Sequence, residues 1–465
     1  MDNKTSRKLN KGIIVTYVLV FGAIFIILLS GLLSFILLQS KQSDQKLAWQ
    51  ESLEIAEAGI NYYRWCLNNE IEANCLLEKE YTDSAGNPIG RFSLEVIPRM
   101  SCGEALERSI VSTGWTYDFP DVERKISVLY AKTPVAEYAY LLNYNVWAGS
   151  DREIRGLYHS NGGIRMDGEN QSLITSAQPT WLCTDSFGCS PSEEKPGVFT
   201  TTENSNPGLF EFPVPSFDFD GITIDLAQIK ELTSYSPQEY YWPPASDLDD
   251  EGKGYHLKFI NDGTFEIWII TELSSDWAYN EEEDWHNDYF EIESEYKYGS
   301  SITIDPDCSL IFVEDNLWLE GKVKGKVTVA SADLINPNGD TDVILTGNID
   351  YTALDGSDGL SVIGERNILI SPESPEVMEI RGIFIAQKGR FGRNLYWGNI
   401  KDRLEVFGSV ISNGRVGTQW ESGSLIVSGY LKRENYIDPN LIYSPPPFVP
   451  YTGSEFSIFD WEELE

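Results

Sequence analysis

Residues 13–40 read IIVTYVLVFGAIFIILLSGLLSFILLQS, without one charged side chain. An α-helix needs about 20 apolar residues to cross a bilayer core of roughly 30 Å, so this run is ample. It exceeds the apolar segment of a cleaved signal peptide, about 7–15 residues. No small-residue cleavage site follows it. The flank before it carries Lys4, Arg7, Lys8 and Lys11 against the single acid Asp2. Basic flanks stay in the cytoplasm, so everything after Ser40 is expected outside it. The chain therefore reads as a single-pass membrane protein held in lipid by residues 13–40.

The helix is expected to continue past the membrane. Residues 41–69 hold no Pro and only one Gly, Gly59. Leu53, Ala56, Ile60, Tyr63 and Leu67 recur at three- and four-residue steps, an apolar stripe on one face. Asn68-Asn69 supplies a stop. The second half of this helix thus packs on a folded domain.

A basic leader ending in Lys11-Gly12, an uninterrupted apolar helix and an amphipathic continuation resemble a type IV pilin or pseudopilin. Ile55-Ala56-Glu57-Ala58-Gly59-Ile60 resembles the AEAG signature of PilX-type pilus-assembly proteins. The resemblance covers roughly the first 150 residues. It implies a prepilin-peptidase cut between Gly12 and Ile13, and other pilin or pilus-assembly subunits as partners. One position departs from the pattern. Pilins carry Glu at the fifth mature position, where this chain has Tyr17. Without that carboxylate a subunit is expected at a filament tip, in priming of assembly, or as a plain membrane-anchored protein.

Beyond the helix the periodicity changes. Phe92-Ser-Leu94-Glu-Val96 alternates at period two after the turn residues 83–88, and residues 109–116 and 124–130 read as further strands. A long helix followed by a small antiparallel sheet is the pilin-like pattern. Arg124 and Lys125 read as sheet-edge charges rather than ligands.

From about Val135 onward short strands recur, at 301–304, 310–313, 326–329, 343–346, 367–370, 383–386, 404–407 and 425–427. Residues 225–231 form the one helix-like stretch. Gly321, Gly347, Gly382 and Gly408 each precede an apolar position, at spacings of 26, 35 and 26. Gly156-Leu-Tyr-His-Ser160-Asn161-Gly162-Gly-Ile164 matches Gly408-Ser-Val-Ile-Ser412-Asn413-Gly414-Arg-Val416. The Asn-Gly pairs are expected to supply positive φ for sharp bends. The repeat predicts that the first coils of a stack lie beside the last or form one end of it. The fold class is accordingly α+β: a transmembrane pilin-like helix with a small antiparallel sheet, then mostly β. The β part is most simply a parallel β-helix, or solenoid, with a flat sandwich as the alternative.

The expected organisation is a leader (1–12), a transmembrane helix (13–40) and a pilin-like helix and sheet (41–133). A β-solenoid domain (134–450) with acidic insertions at about 200–298 and a C-terminal tail (451–465) follow. Within the insertions, Asn261-Asp262-Gly263 predicts a hairpin with a type I′ turn. Residues 243–253 and 275–298 read as acidic loops.

Acidic residues number 72 and basic residues 35, for a net charge of −37 over 465 residues. That balance argues against nucleic acid, which needs clustered Lys and Arg. All six Cys lie after the span, where disulfides are permitted. Cys183 and Cys189 close a short Gly-containing loop and are expected to pair. Cys66 is expected to pair with either Cys75 or Cys102, and Cys308 reads as a buried thiol. Asn338–Asp342 and Asp355–Asp358 place oxygen ligands at Ca²⁺-like spacing without completing an EF-hand, so metal binding stays open. Tyr240, Tyr241, Trp242 and Trp285 are candidates for stacking on surface glycans or proteins. His159 reads as a turn histidine, because no nucleophile elbow surrounds it.

No catalytic residue and no cofactor is assigned. The functional expectation is a non-enzymatic envelope protein of pilus or pseudopilus assembly, displaying a β-helix for adhesion or partner contact. The alternatives are a membrane-anchored enzyme acting on polysaccharide and a surface structural protein outside any pilus.

Overall fold

The computed structural model describes residues 11–101, 104–220, 225–234, 240–306, 309–336, 339–423 and 425–464. The chain divides into two compact units. One comprises Met1–Arg99, Glu107–Ala131 and Phe456–Glu465, and the other Met100–Leu106 and Lys132–Glu455.

The first unit is built on helix α1 (Lys11–Asn68), 58 residues long. At 1.5 Å per residue it spans about 87 Å. From Ile14 to Leu47 its residues are exposed apart from the half-covered Gly22, and the first buried side chain is Ala48. From there Ser52, Ile55, Ala56, Ile60, Tyr63, Cys66 and Leu67 are buried, a stripe that returns every three or four residues and is two residues wide at 55–56 and 66–67. The stripe is rotated slightly from the expected one, and Leu53 flanks it.

That face packs on a sheet ordered β1 (Glu78–Thr82), β2 (Pro88–Ser101), β3 (Glu104–Thr116), β4 (Arg124–Pro134) and the strand Tyr451–Leu464. Residues 451–464, read from sequence as a tail, thus supply the fifth strand. Helix and sheet meet at backbone distance. A Cβ on Gly59 would lie 2.4 Å from Ser112 Oγ, and one on Gly114 would lie 2.4 Å from Ala56 N. The Ala-Glu-Ala-Gly stretch therefore has a physical reason: its small residues let the helix settle onto β3. Tyr130 OH donates to the Ile60 carbonyl at 2.6 Å, and Ser52 Oγ to that of Val122 at 2.8 Å. A Cys66–Cys75 disulfide ties the helix end to the segment entering β1.

The second unit is organised by parallel pairing. Along one line Phe312, Ala330, Ile363, Ile385, Ile411, Leu141, His159 and Thr175 pair in succession. Chain order inverts within it: after residue 411 the next layer comes from residue 141. Along a second line Leu257, Leu319, Leu345 and Ile370 pair. Along a third, Ile380, Val406, Asn435, Ile154 and Asn170 pair.

Side chains alternate across the first line. Ile311, Val329, Val362, Phe384, Val410, Tyr140 and Tyr158 point into the main core. Phe312, Ala330, Ile363, Ile385 and Ile411 point the other way. There they are covered by Leu226 and Ile229 of the helix Leu226–Ser234, and by Leu441 and Val449. Each fully buried Leu, Ile, Val or Phe among them contributes about 1.5–3 kcal/mol.

The repeated motif works differently from expectation. Its left-handed residues are the leading glycines, Gly156 (φ 149°) and Gly408 (φ 130°), whereas Gly162 and Gly414 are not left-handed. Gly408 faces Gly382 so closely that a Cβ would lie 2.0 Å from the Gly382 carbonyl oxygen. The asparagines instead form a ladder between layers. Asn143 Nδ2 donates to Asn413 Oδ1, and Asn161 Nδ2 to Asn143 Oδ1, each at 2.7 Å. Amides in register satisfy one another in this way.

The expected acidic loop at 275–298 is instead two long antiparallel strands, Thr264–Asn280 and Asp284–Thr303. Tyr255–Ile260 pairs with the first of them. Its connection has only Gly263 in the left-handed region (φ 92°), so it is a three-residue loop and not the expected type I′ turn. The far end of the long hairpin pairs with Leu395–Tyr396.

Candidate functional site

Two surfaces of the chain are candidates. The first is the leading half of α1. Residues from Ile14 onward form an apolar helix long enough to span a bilayer, and none of its most apolar stretch is buried. Tyr17 is 61% exposed on it. Gly12 and Ile13 lie in the first turn of this helix, while Lys4, Arg7 and Lys8 lie outside the described residues.

The second unit redistributes the candidate aromatics. Tyr240 and Trp242 are core residues, which removes them from any surface site. Tyr240 OH donates to the Thr303 carbonyl at 2.6 Å. Tyr241 is half-buried and donates to Glu314 Oε2 at 2.6 Å, beside Lys230. These three follow the inside–outside alternation of a paired strand, which the run Tyr-Tyr-Trp conceals in sequence. Trp285 is 43% exposed and stacks on Trp277 at 6.0 Å.

Cys183 and Cys189 are bridged, with Cα atoms 5.6 Å apart. Cys102, Cys308 and Asn338 lie outside the described residues. The remaining Ca²⁺ candidates are engaged with protein donors. Asp342 accepts Arg366 Nε at 2.9 Å, and Asp340 accepts Lys388 Nζ at 2.7 Å. Asp358 caps the Gly325 amide at 2.7 Å, and Asp355 accepts the Ser357 amide at 3.0 Å. Among the described residues no group of three or more His, Cys, Asp or Glu is placed to hold a metal. His159, expected in a turn, is a buried strand residue. Its Nδ1 lies 2.8 Å from Thr175 Oγ1, and burial depresses its pKa.

The long hairpin creates the second surface, a groove over the second line of pairing. Three consecutive cavities of about 440, 200 and 410 Å³ share lining residues from one to the next. Glu282 and Arg390 join the first to the second, and Glu281, Arg415, Gln419 and Trp420 join the second to the third. Beneath the hairpin, Trp318 Nε1 donates to the Phe290 carbonyl at 2.7 Å. Asp288 is buried and accepts from Asn394 Nδ2 at 2.7 Å and Tyr396 OH at 2.8 Å, with His286 Nε2 2.9 Å from its other oxygen. At the other end the Cys183–Cys189 loop forms a lip. Arg415 spans the gap: it pairs with Glu281 at the hairpin tip and donates to the Ser186 carbonyl of the loop. Trp420 is fixed by donation to the Arg393 carbonyl at 2.8 Å.

Charge in the hairpin is tuned by burial. Burial, a hydrogen bond that protonated Glu373 donates to Glu291, and the negative charge of Glu291 push Glu373 up to about 7. His256, at the hairpin base, is penalised by burial, yet its contacts with Glu295 (2.8 Å) and Glu320 (3.4 Å) raise its pKa overall.

The groove was not legible in sequence. Its wall residues come from segments more than 200 positions apart, such as Tyr144 and Trp420. The aromatic and acidic run 275–298 was the one signal pointing to it.

No family model matches the chain, and no curated protein matches it. Among solved structures, the competence-associated pilin ComZ from Thermus thermophilus is similar at TM-score 0.29 and 13% identity. The match covers 90% of this chain and 97% of that one. That score lies below the level at which two chains share a fold.

Proposed function

We propose that the chain is a non-enzymatic, membrane-anchored envelope protein of type IV pilus or pseudopilus assembly, a minor-pilin-like subunit of the PilX type. Its second unit is a parallel β-helix displayed outside the cytoplasm for adhesion or partner contact. The observation that carries this reading is α1. One continuous helix has a bare apolar half and a second half whose small residues settle on an antiparallel sheet. An uncovered apolar helix needs lipid or other helices around it. The β-helix reading is supported by the three parallel lines and the asparagine ladder. Tyr17 in place of a carboxylate favours a position at a tip or in priming over repeated addition along a filament.

The test is a photo-crosslinking residue in place of Leu28, in intact cells. Adducts with a pilin or pilus-assembly subunit are expected. Adducts with lipid alone would leave a membrane-anchored surface protein outside any pilus.

A further inference from the structure

The groove over the second line of pairing runs across the strands, not along one. Beneath it Ile344, Leu369, Gly392 and Gly417 follow one another in register, and Ile344, Leu369 and Gly417 line it. At about 4.8 Å per strand this already spans roughly 15 Å, before the end formed by Trp147. The occupant is therefore elongated. An extended peptide binds by adding to a strand edge, and a floor that crosses its strands offers no such edge along its length.

The walls say more about chemistry. Each compartment holds an aromatic ring: Tyr289 in the first, Tyr144 and Trp420 in the second, Trp147 and Trp420 in the third. Tyr144 is 50% and Tyr289 55% exposed, so these rings are open to a ligand. Between them lies the amide of Asn287, which can both donate and accept, while Asn280 and Gln419 are held by Glu283 and by Tyr430 and Arg433 and so stiffen the wall. The cations of the wall are tied to its acids, Arg366 to Asp342 and Arg415 to Glu281, and the further acids Glu282, Glu283, Asp185 and Glu421 leave the groove without a cationic patch. A chain carrying −37 also repels a polyanion. Rings spaced along a polar groove rich in carboxylate acceptors and without a cationic patch fit an uncharged ligand with flat apolar faces and many hydroxyls.

We propose that this groove binds a neutral, linear oligosaccharide, with Trp420 and Tyr144 as its central stacking platforms. Arg415 joins the disulfide loop to the hairpin tip and so sets the groove's width. This deepens the display role proposed above. Its test reads binding alone, so it can fail without touching the reading of α1, and the crosslinking result can fail without touching it.

The experiment uses the full chain in lipid nanodiscs, titrated by calorimetry and tryptophan fluorescence. The probes are chitotetraose, cellotetraose and maltotetraose, with tetragalacturonate and a Ser/Thr/Val octapeptide alongside. At least one neutral tetrasaccharide should saturate below about 5 mM. Trp420→Ala should weaken it by about tenfold or more, and Trp420→Phe by less. Trp277→Ala, on an exposed ring outside the groove lining, should leave binding unchanged. Tyr144→Ala gives a second reading should Trp420→Ala misfold. Three results would overturn the proposal: no saturable binding of any neutral tetrasaccharide, binding indifferent to both Trp420→Ala and Tyr144→Ala, or tighter binding of tetragalacturonate or the octapeptide.

Discussion

Gly408 shows how much one backbone position can decide. It turns the strand Ile400–Ser412 from the third line of pairing into the first, at φ 130°. Its missing Cβ is what lets it lie against Gly382. Gly408→Ala should destabilise the second unit by about 2–4 kcal/mol, from strain and overpacking together. Gly417→Ala, with open space and no left-handed φ, should stay within about 0.5 kcal/mol. Chemical denaturation followed by tryptophan fluorescence separates the two.

Two titrating residues make the hairpin sensitive to pH in one direction. Glu373 has a folded pKa above its ordinary value, so its charged form costs stability as pH rises from about 4.5 to about 7. His256 also has a raised folded pKa. Its ion pairing is fully present below about 6.5 and is lost as pH rises through the folded value. Both effects loosen the strand Asp284–Thr303 between pH 5.5 and 8. Amide exchange, corrected for intrinsic rate, should show faster opening of residues 284–303 at pH 8, with the layers around 343–385 unchanged. Glu373→Gln should reduce that difference. Equal protection at both pH values would refute the assignment.

At the scale of elements, α1 is one helix under two sets of demands. Gly59→Leu should detach its second half from β3 and cost about 1–3 kcal/mol in the first unit, read by the heat-unfolding midpoint. Leu28→Asp should leave both units folded and impair membrane retention, because a central charge costs about 2.5–3.5 kcal/mol on insertion scales. Fractionation with and without carbonate washing measures it.

The helix was legible because lipid and a helix face impose long, regular patterns on sequence. Strands at 310–313, 343–346 and 383–386 were legible for a related reason: inward and outward apolar residues alternate between turn glycines. The hairpin 264–303 was not. Its strands carry acids on exposed positions, so composition resembles a loop while hydrogen bonding makes a sheet. Tyr240 and Trp242 misled for the converse reason. Aromatics beside an acidic stretch suggest a surface, but pairing of residue 241 with Phe312 turns their neighbours inward.

At the scale of the whole molecule, the repeat Ser160-Asn161-Gly162 and Ser412-Asn413-Gly414 announced that distant segments belong together. It did not announce that residues 138–142 stand between the two copies. Such pairing is set by contacts between strands distant in sequence. Sequence records only the local fitness of each layer. The groove inherits that difficulty, since each of its walls comes from a different layer.

The reading of the chain as a pilus-class subunit rests on what happens at Gly12 and Ile13. The deciding measurement is the mature N-terminus, by intact mass and terminal-peptide analysis, in cells with and without prepilin peptidase. A start at Ile13 that depends on the peptidase is the expected result, despite Tyr17. A start at Met1 or Asp2 in both strains would contradict it and leave a signal-anchored surface protein.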